Sequence, residues 1–177
     1  MGTRYGPLIL LLPALFCRAY QTVPEGYRQV AGKARVPAGL LYAVALTESG
    51  THLTHGVHPW PWTLNVAGQG YQYTTREEAC DALTHFLQTH NPRRIDAGLG
   101  QINIGWNGER FATPCDALDP YENLRVTAQL LYRHYQKQQN WLAAAGRYHH
   151  PAGGKAALRY RRKVARYLQQ PDLAMKP

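Results

Sequence analysis

Apolar residues recur at three- and four-residue spacing through five stretches of the chain and alternate through one short stretch. Val36-Pro37 opens the first helix, because proline suits a first turn; Leu40, Leu41, Val44, Ala45 and Glu48 follow at helical spacing, and Gly50 closes it. Glu48 thus falls in the last turn of a mostly apolar helix, where the helix dipole disfavours negative charge. Thr63–Val66 and the run Tyr71-Gln72-Tyr73-Thr74 read as a β-hairpin with a four-residue loop, Ala67-Gly68-Gln69-Gly70. Thr75-Arg76-Glu77-Glu78 matches a capping box, and its helix turns Ala79, Leu83, Phe86 and Leu87 inward before Asn91-Pro92 stops it. A glycine-dense turn, Asp96-Ala97-Gly98-Leu99-Gly100-Gln101-Ile102-Asn103, comes next. Asp119-Pro120 caps a helix carrying Leu124, Ala128, Leu131 and Tyr135, and residues 141–146 give a shorter one. The last helix is expected to bury Leu158, Val164 and Leu168, with Lys155, Arg159, Arg162 and Arg166 as a basic stripe on its other side. No repeat or linker divides the chain. The pattern predicts one mainly α domain with a small hairpin.

The N-terminus reads differently. Arg4, then the unbroken apolar run 7–16, then Cys17-Arg18-Ala19 with small residues three and one before Tyr20, match a cleavable export signal over residues 1–19. The run is too short to span a bilayer as a helix, which takes about 20 residues, so no transmembrane anchor is expected after cleavage. Phe16 stands where a lipid-anchor signal at Cys17 wants a small residue. Export leaves Cys80 and Cys115 as an even pair in an oxidising compartment, where a disulfide is possible. It also lowers the formal charge of +9 by two, to +7, because Arg4 and Arg18 leave. That surplus suits any anionic polymer, and export argues against nucleic acid.

The helix-terminal Glu48-Ser49, then Gly98-Leu99-Gly100-Gln101-Ile102, then Asp119-Pro120 with Asn123, then Tyr148 and a closing helix with Tyr160, together resemble the soluble lytic transglycosylase domain, which shares a fold with goose-type lysozyme. The resemblance covers residues 33–168 within a domain of residues 20–177. It implies a mainly α, lysozyme-like helical domain with a small β-hairpin at the substrate cleft, needing no cofactor and no metal. It further implies a periplasmic enzyme that cleaves the bond between N-acetylmuramic acid and N-acetylglucosamine in peptidoglycan, with Glu48 as its single acid and base. The run 59–66, with Trp60 and Trp62, is similar to transglycosylases of conjugative elements and secretion systems, which implies service to such an apparatus.

The resemblance carries over Ser49 as a hydrogen-bonding group near the scissile sugar, Gln101 as a cleft residue and Tyr148 as a donor that orients Glu48. Asp96 reads either as a turn aspartate, favoured there for backbone reasons, or as a second carboxylate on the cleft wall. Family members commonly carry methionine where Gly100 stands and asparagine where His149 stands. Trp60 and Trp62 either stack on sugar faces or cover the core.

His52, His55 and His58 recur at threes but follow a helix stop and lack a completing ligand, so they read as loop histidines. Two other classes stay open: a hydrolytic muramidase, which needs water and ordinarily two carboxylates, and a non-catalytic wall-binding protein.

Overall fold

The computed structural model describes residues 22–54 and 56–170; the expected signal segment with Cys17, and His55, lie outside them. The first helix built from the apolar run is α2 (Ala38–Ser49), in which every residue from Leu40 to Leu46 is buried. A helix apolar all round is a core helix, and each buried leucine or valine contributes about 1.5–3 kcal/mol. Around it pack α1 (Glu25–Ala34), α5 (Pro120–Gln138) and α7 (Gly154–Leu168), with α6 (Trp141–His149) bridging α5 and α7. The sequence pattern gave no sign of α1, whose buried residues are only Tyr27 and Ala31. The Tyr27 ring meets Tyr42 edge-on at 4.8 Å.

The β structure exceeds the single hairpin expected. Strands β1 (Gly50–Leu53) and β2 (Gly56–Pro59) pair directly after α2 and carry His52 and His58, so these residues are on strands and not in a loop. A second, antiparallel sheet has the order β4-β3-β5-β6, from β3 (Thr63–Val66), β4 (Gln69–Gln72), β5 (Ile95–Ala97) and β6 (Ile102–Asn103). The β3–β4 loop has two residues, not four: Val66 faces Gln69 across a turn with φ of 55° at Ala67 and 93° at Gly68. Two successive left-handed residues give the turn the twist that paired strands require.

Helix α3 (Arg76–Thr89) begins on the expected capping box, Thr75 with Glu78. With the sheet it encloses a second core, where Leu64, Val66, Leu83, Ile95, Ile102 and Val126 meet. Helix α5 serves both cores: Leu124, Ala128 and Leu131 face α2, while Val126 and Leu130 face the sheet. On α7 the expected burial of Leu158 is not found. Ala157, Tyr160 and Val164 form the inward face, and Leu158 is 51% exposed, because that register brings the smaller Ala157 against α6.

Cys80 on α3 and Cys115 in the 3-10 turn Pro114–Leu118 form a disulfide, with Cα atoms 5.2 Å apart and a sequence separation of 35. A loop of that length, closed in the unfolded chain, stabilises by about 3–4 kcal/mol. The Cys80→Ala/Cys115→Ala variant is therefore expected to lose that much in urea denaturation. A loss under about 1 kcal/mol would contradict this account.

Candidate active site

The end of α2, strands β3, β5 and β6 and the end of α6 converge on a cleft of about 760 Å³. Glu48, Asp96, Gln101 and Tyr148 all line it, so four of the residues singled out from the sequence come together. The Glu48 side chain is 13% exposed. His149 Nδ1 lies 3.7 Å from Glu48 Oε1, an ion pair whenever the imidazole is protonated. The His149 ring also stacks on Tyr160, with centroids 4.4 Å apart and planes 7° from parallel. The Tyr160 hydroxyl is buried beside Glu48 without reaching full hydrogen-bond geometry to any group among the described residues. Burial and then the Glu48 charge hold this hydroxyl well above its ordinary pKa, so it stays a neutral donor next to the carboxyl.

The glycine turn fixes the other wall. Asn123, fully buried on α5, accepts from the Gly100 N–H at 2.8 Å and donates to the carbonyls of Ala97 at 2.9 Å and Ala117 at 2.8 Å. A Cβ at Gly98, where φ is 78°, would collide with Asn123 and the Ala117 carbonyl. At Gly100 a Cβ would strike Thr127 Oγ1 and crowd the Tyr148 hydroxyl. Glycine at position 100 thus has a physical reason: two hydroxyl-bearing side chains close over the backbone and leave no room for a side chain.

This packing redirects two expected contacts. The Tyr148 hydroxyl donates to the Gly100 carbonyl at 2.5 Å and not to Glu48, because the turn presents that carbonyl to it. Ser49 is 3% exposed and donates to the carbonyls of Leu99 at 2.8 Å and Ala45 at 3.1 Å. It ties α2 to the turn from behind and does not reach the cleft. Gln101, in left-handed backbone at φ 47°, spends its Nε2 on the carbonyls of Gly98 and Thr63, which leaves Oε1 as the atom free to meet a ligand.

Asp96 stands on β5 and accepts from Asn103 Nδ2 at 2.8 Å. Burial pushes its carboxyl above the ordinary range; the Asn103 bond opposes this, the Glu48 charge adds to it and His149 opposes it. Asp96 lies on a strand and not in a turn, and it lines the same cleft as Glu48 and His149.

Trp60 and Trp62 meet edge-on, and Trp60 Nε1 donates to the Tyr73 carbonyl at 2.8 Å. Trp62, Tyr71 and Tyr73 pack on the second core, so these aromatics cover that core and do not line the cleft. The exposed aromatic that does is Trp106, 61% exposed on the short helix α4 (Ile104–Asn107). Arg93 lies over its ring at 4.2 Å, and Asn103 caps the helix by accepting from the Trp106 N–H. Sequence reading missed Trp106, Asn65, Asn103 and Arg133. Only Trp106 offered a signal, an unassigned aromatic three residues after an asparagine.

Fold and site together define a mainly helical domain with a small antiparallel sheet, whose cleft holds two carboxyl groups, a histidine and an exposed tryptophan. Comparison of the chain with protein-family models, curated proteins and solved structures finds no match.

Two predictions follow from this geometry. Asn123→Ala removes three buried hydrogen bonds to the backbone at once and is expected to cost about 3–5 kcal/mol in urea denaturation; a loss below about 1 kcal/mol would mean the turn holds without it. Asp96 keeps its proton to higher pH in the native state than in the unfolded chain. Its contribution to stability is therefore fully present below the unfolded value of about 3.9 and is lost as pH rises through the native value. Asp96→Asn should shrink the fall in unfolding free energy from about pH 4 to about pH 7, and an unchanged fall would refute the assignment.

Proposed function

We propose that this chain is a peptidoglycan lytic transglycosylase of lysozyme-like fold, with Glu48 as its single acid and base. The observation that carries the reading is the Glu48 carboxyl, almost buried at an apolar helix end yet opening on a cleft walled by amides and one exposed indole. Such a wall suits a sugar chain, whose ring faces stack on aromatics and whose hydroxyls bond to amides.

In this reading Glu48 gives its proton to the glycosidic oxygen as the bond from that oxygen to the muramic anomeric carbon breaks. The carboxylate then takes the proton of the muramic C6 hydroxyl while O6 attacks the same carbon. The products are a 1,6-anhydro ring and a free glucosamine hydroxyl; no water is consumed, and Glu48 ends protonated as it began. One group acting first as acid and then as base is worth about 10²–10⁴-fold in rate. Tyr160, a neutral hydroxyl beside Glu48, supports it as a positioning residue.

Asp96 bears on the muramidase alternative. A hydrolase with two carboxylates needs the second one ionised, as nucleophile or base. Burial here favours the protonated form of Asp96, and one of its oxygens is already engaged by Asn103. This supports transglycosylation over hydrolysis. The same reading places the enzyme in the periplasm, acting on wall glycan in the service of a conjugation or secretion apparatus.

The test is mass spectrometry of muropeptides released from purified sacculi by the exported form, residues 20–177, beside Glu48→Gln. Anhydro-muramic ends from the wild type, and about 10²-fold fewer or none from the variant, are expected. Reducing ends would favour the muramidase and Asp96. Binding without cleavage by either protein would favour a wall-binding module.

A further inference from the structure

Helix α7 holds six cations, Lys155, Arg159, Arg161, Arg162, Lys163 and Arg166, and no acidic residue. Five of them, all but Arg161, are exposed. At 100° per residue, Lys155, Arg159, Arg162 and Arg166 lie along one line, opposite the inward face of Ala157, Tyr160 and Val164. Elsewhere several arginines pair with acids: Arg28 with Glu25, Arg76 with Asp116 and Arg125 with Glu122. No ion pair among the described residues involves an α7 cation.

This arrangement works against the fold. Like charges three and four apart on a helix repel, and Lys155 in the first turn opposes the helix dipole. Among the described residues no acid pairs with them. Four of the cations also line an open groove of about 550 Å³ that has no acidic residue in its walls.

A second observation narrows the ligand. Leu158, four residues before Arg162 and three after Lys155, flanks the stripe and is 51% exposed. An apolar side chain beside a row of cations matches the boundary between headgroups and acyl chains of a bilayer better than a hydrated polymer of carboxylates. Among the described residues no helix is long and apolar enough to cross a membrane, so attachment through α7 would be peripheral.

We infer that the outer face of α7 is a docking surface for anionic phospholipid membrane, with the cations on headgroup phosphates and Leu158 at the acyl boundary. This surface lies on the side of α7 away from Tyr160 and Glu48, so it requires nothing of the catalytic reading.

The test is co-sedimentation of the exported form with vesicles of phosphatidylglycerol and phosphatidylcholine, against phosphatidylcholine alone. Binding to the mixed vesicles only, weakened by salt, is expected. Arg159→Gln/Arg162→Gln/Arg166→Gln should weaken it by about fivefold per charge removed, on the order of a hundredfold in all. Leu158→Ser should weaken it several-fold at every salt concentration. Circular dichroism checks that both variants fold, and their release of muropeptides from solubilised glycan strands should match wild type. Equal binding by the triple variant would overturn the proposal, as would equal binding to uncharged vesicles. So would a triple variant that loses sacculus binding while keeping vesicle binding, which would assign the face to wall polymer.

Discussion

The arrangement of the cleft rests on one buried amide. Asn123 holds the Gly100 N–H, the end of β5 and the 3-10 turn before α5 in a single three-bonded node. Buried where water does not compete, such bonds are strong when made and costly when lost. Helix α5 presents the amide rigidly, since Asp119 caps its start with bonds to the N–H groups of Tyr121 and Glu122 and Pro120 fixes the first turn. The turn held in this way in turn holds its neighbours: Leu99 receives Ser49 from α2, and Gly100 receives Tyr148 from α6. The positions of Glu48 and His149 at the two helix ends are thereby linked through backbone carbonyls of one turn.

That linkage explains how a carboxyl is kept in an unfavourable place. Burial first, and then the charge of Glu48, oppose ionisation of the Asp96 carboxyl. Natural sequences keep local conflicts of this kind where function uses them. The cleft runs along the seam between the two hydrophobic cores, and Tyr148 packs against both. Polar groups can collect at such a seam because neither core has to close over them. Trp106 completes the wall from outside both cores, held by Arg93 and the Asn103 cap.

The chain distributes its charge unevenly around one helix. The inward side of α7 brings Tyr160 to Glu48, while the outward side carries unpaired cations. A helix with its side chains is about 10–12 Å across, so the two surfaces are close yet separated by a packed element. Carboxylates elsewhere on the surface serve caps and local pairs, as with Asp116 and Asp119 around Arg76. Among the described residues no acid forms an ion pair with the basic face.

The amino-acid sequence by itself determined the helices with strong punctuation. Proline before α2, the capping box at Thr75 and Asp119-Pro120 at α5 are local signals, read from a few adjacent residues. It also placed Glu48 at its helix end and gathered Asp96, Gln101 and Tyr148 as candidates that share the cleft. Contacts between distant segments were decided only by tertiary structure. Ser49 faces inward and Tyr148 bonds Gly100 because Thr127 and Asn123, from a helix over twenty residues away in sequence, close on the turn. The second hairpin and α1 escaped notice because their strands and faces are short and half-exposed, leaving little periodicity to read. Leu158 faces outward although its type suggests burial, since the approach of α6 set the register of α7. Hydrophobic type and spacing dictate which segments become helices; which face turns inward, and which polar atom meets which, depends on neighbours that only the folded chain brings together.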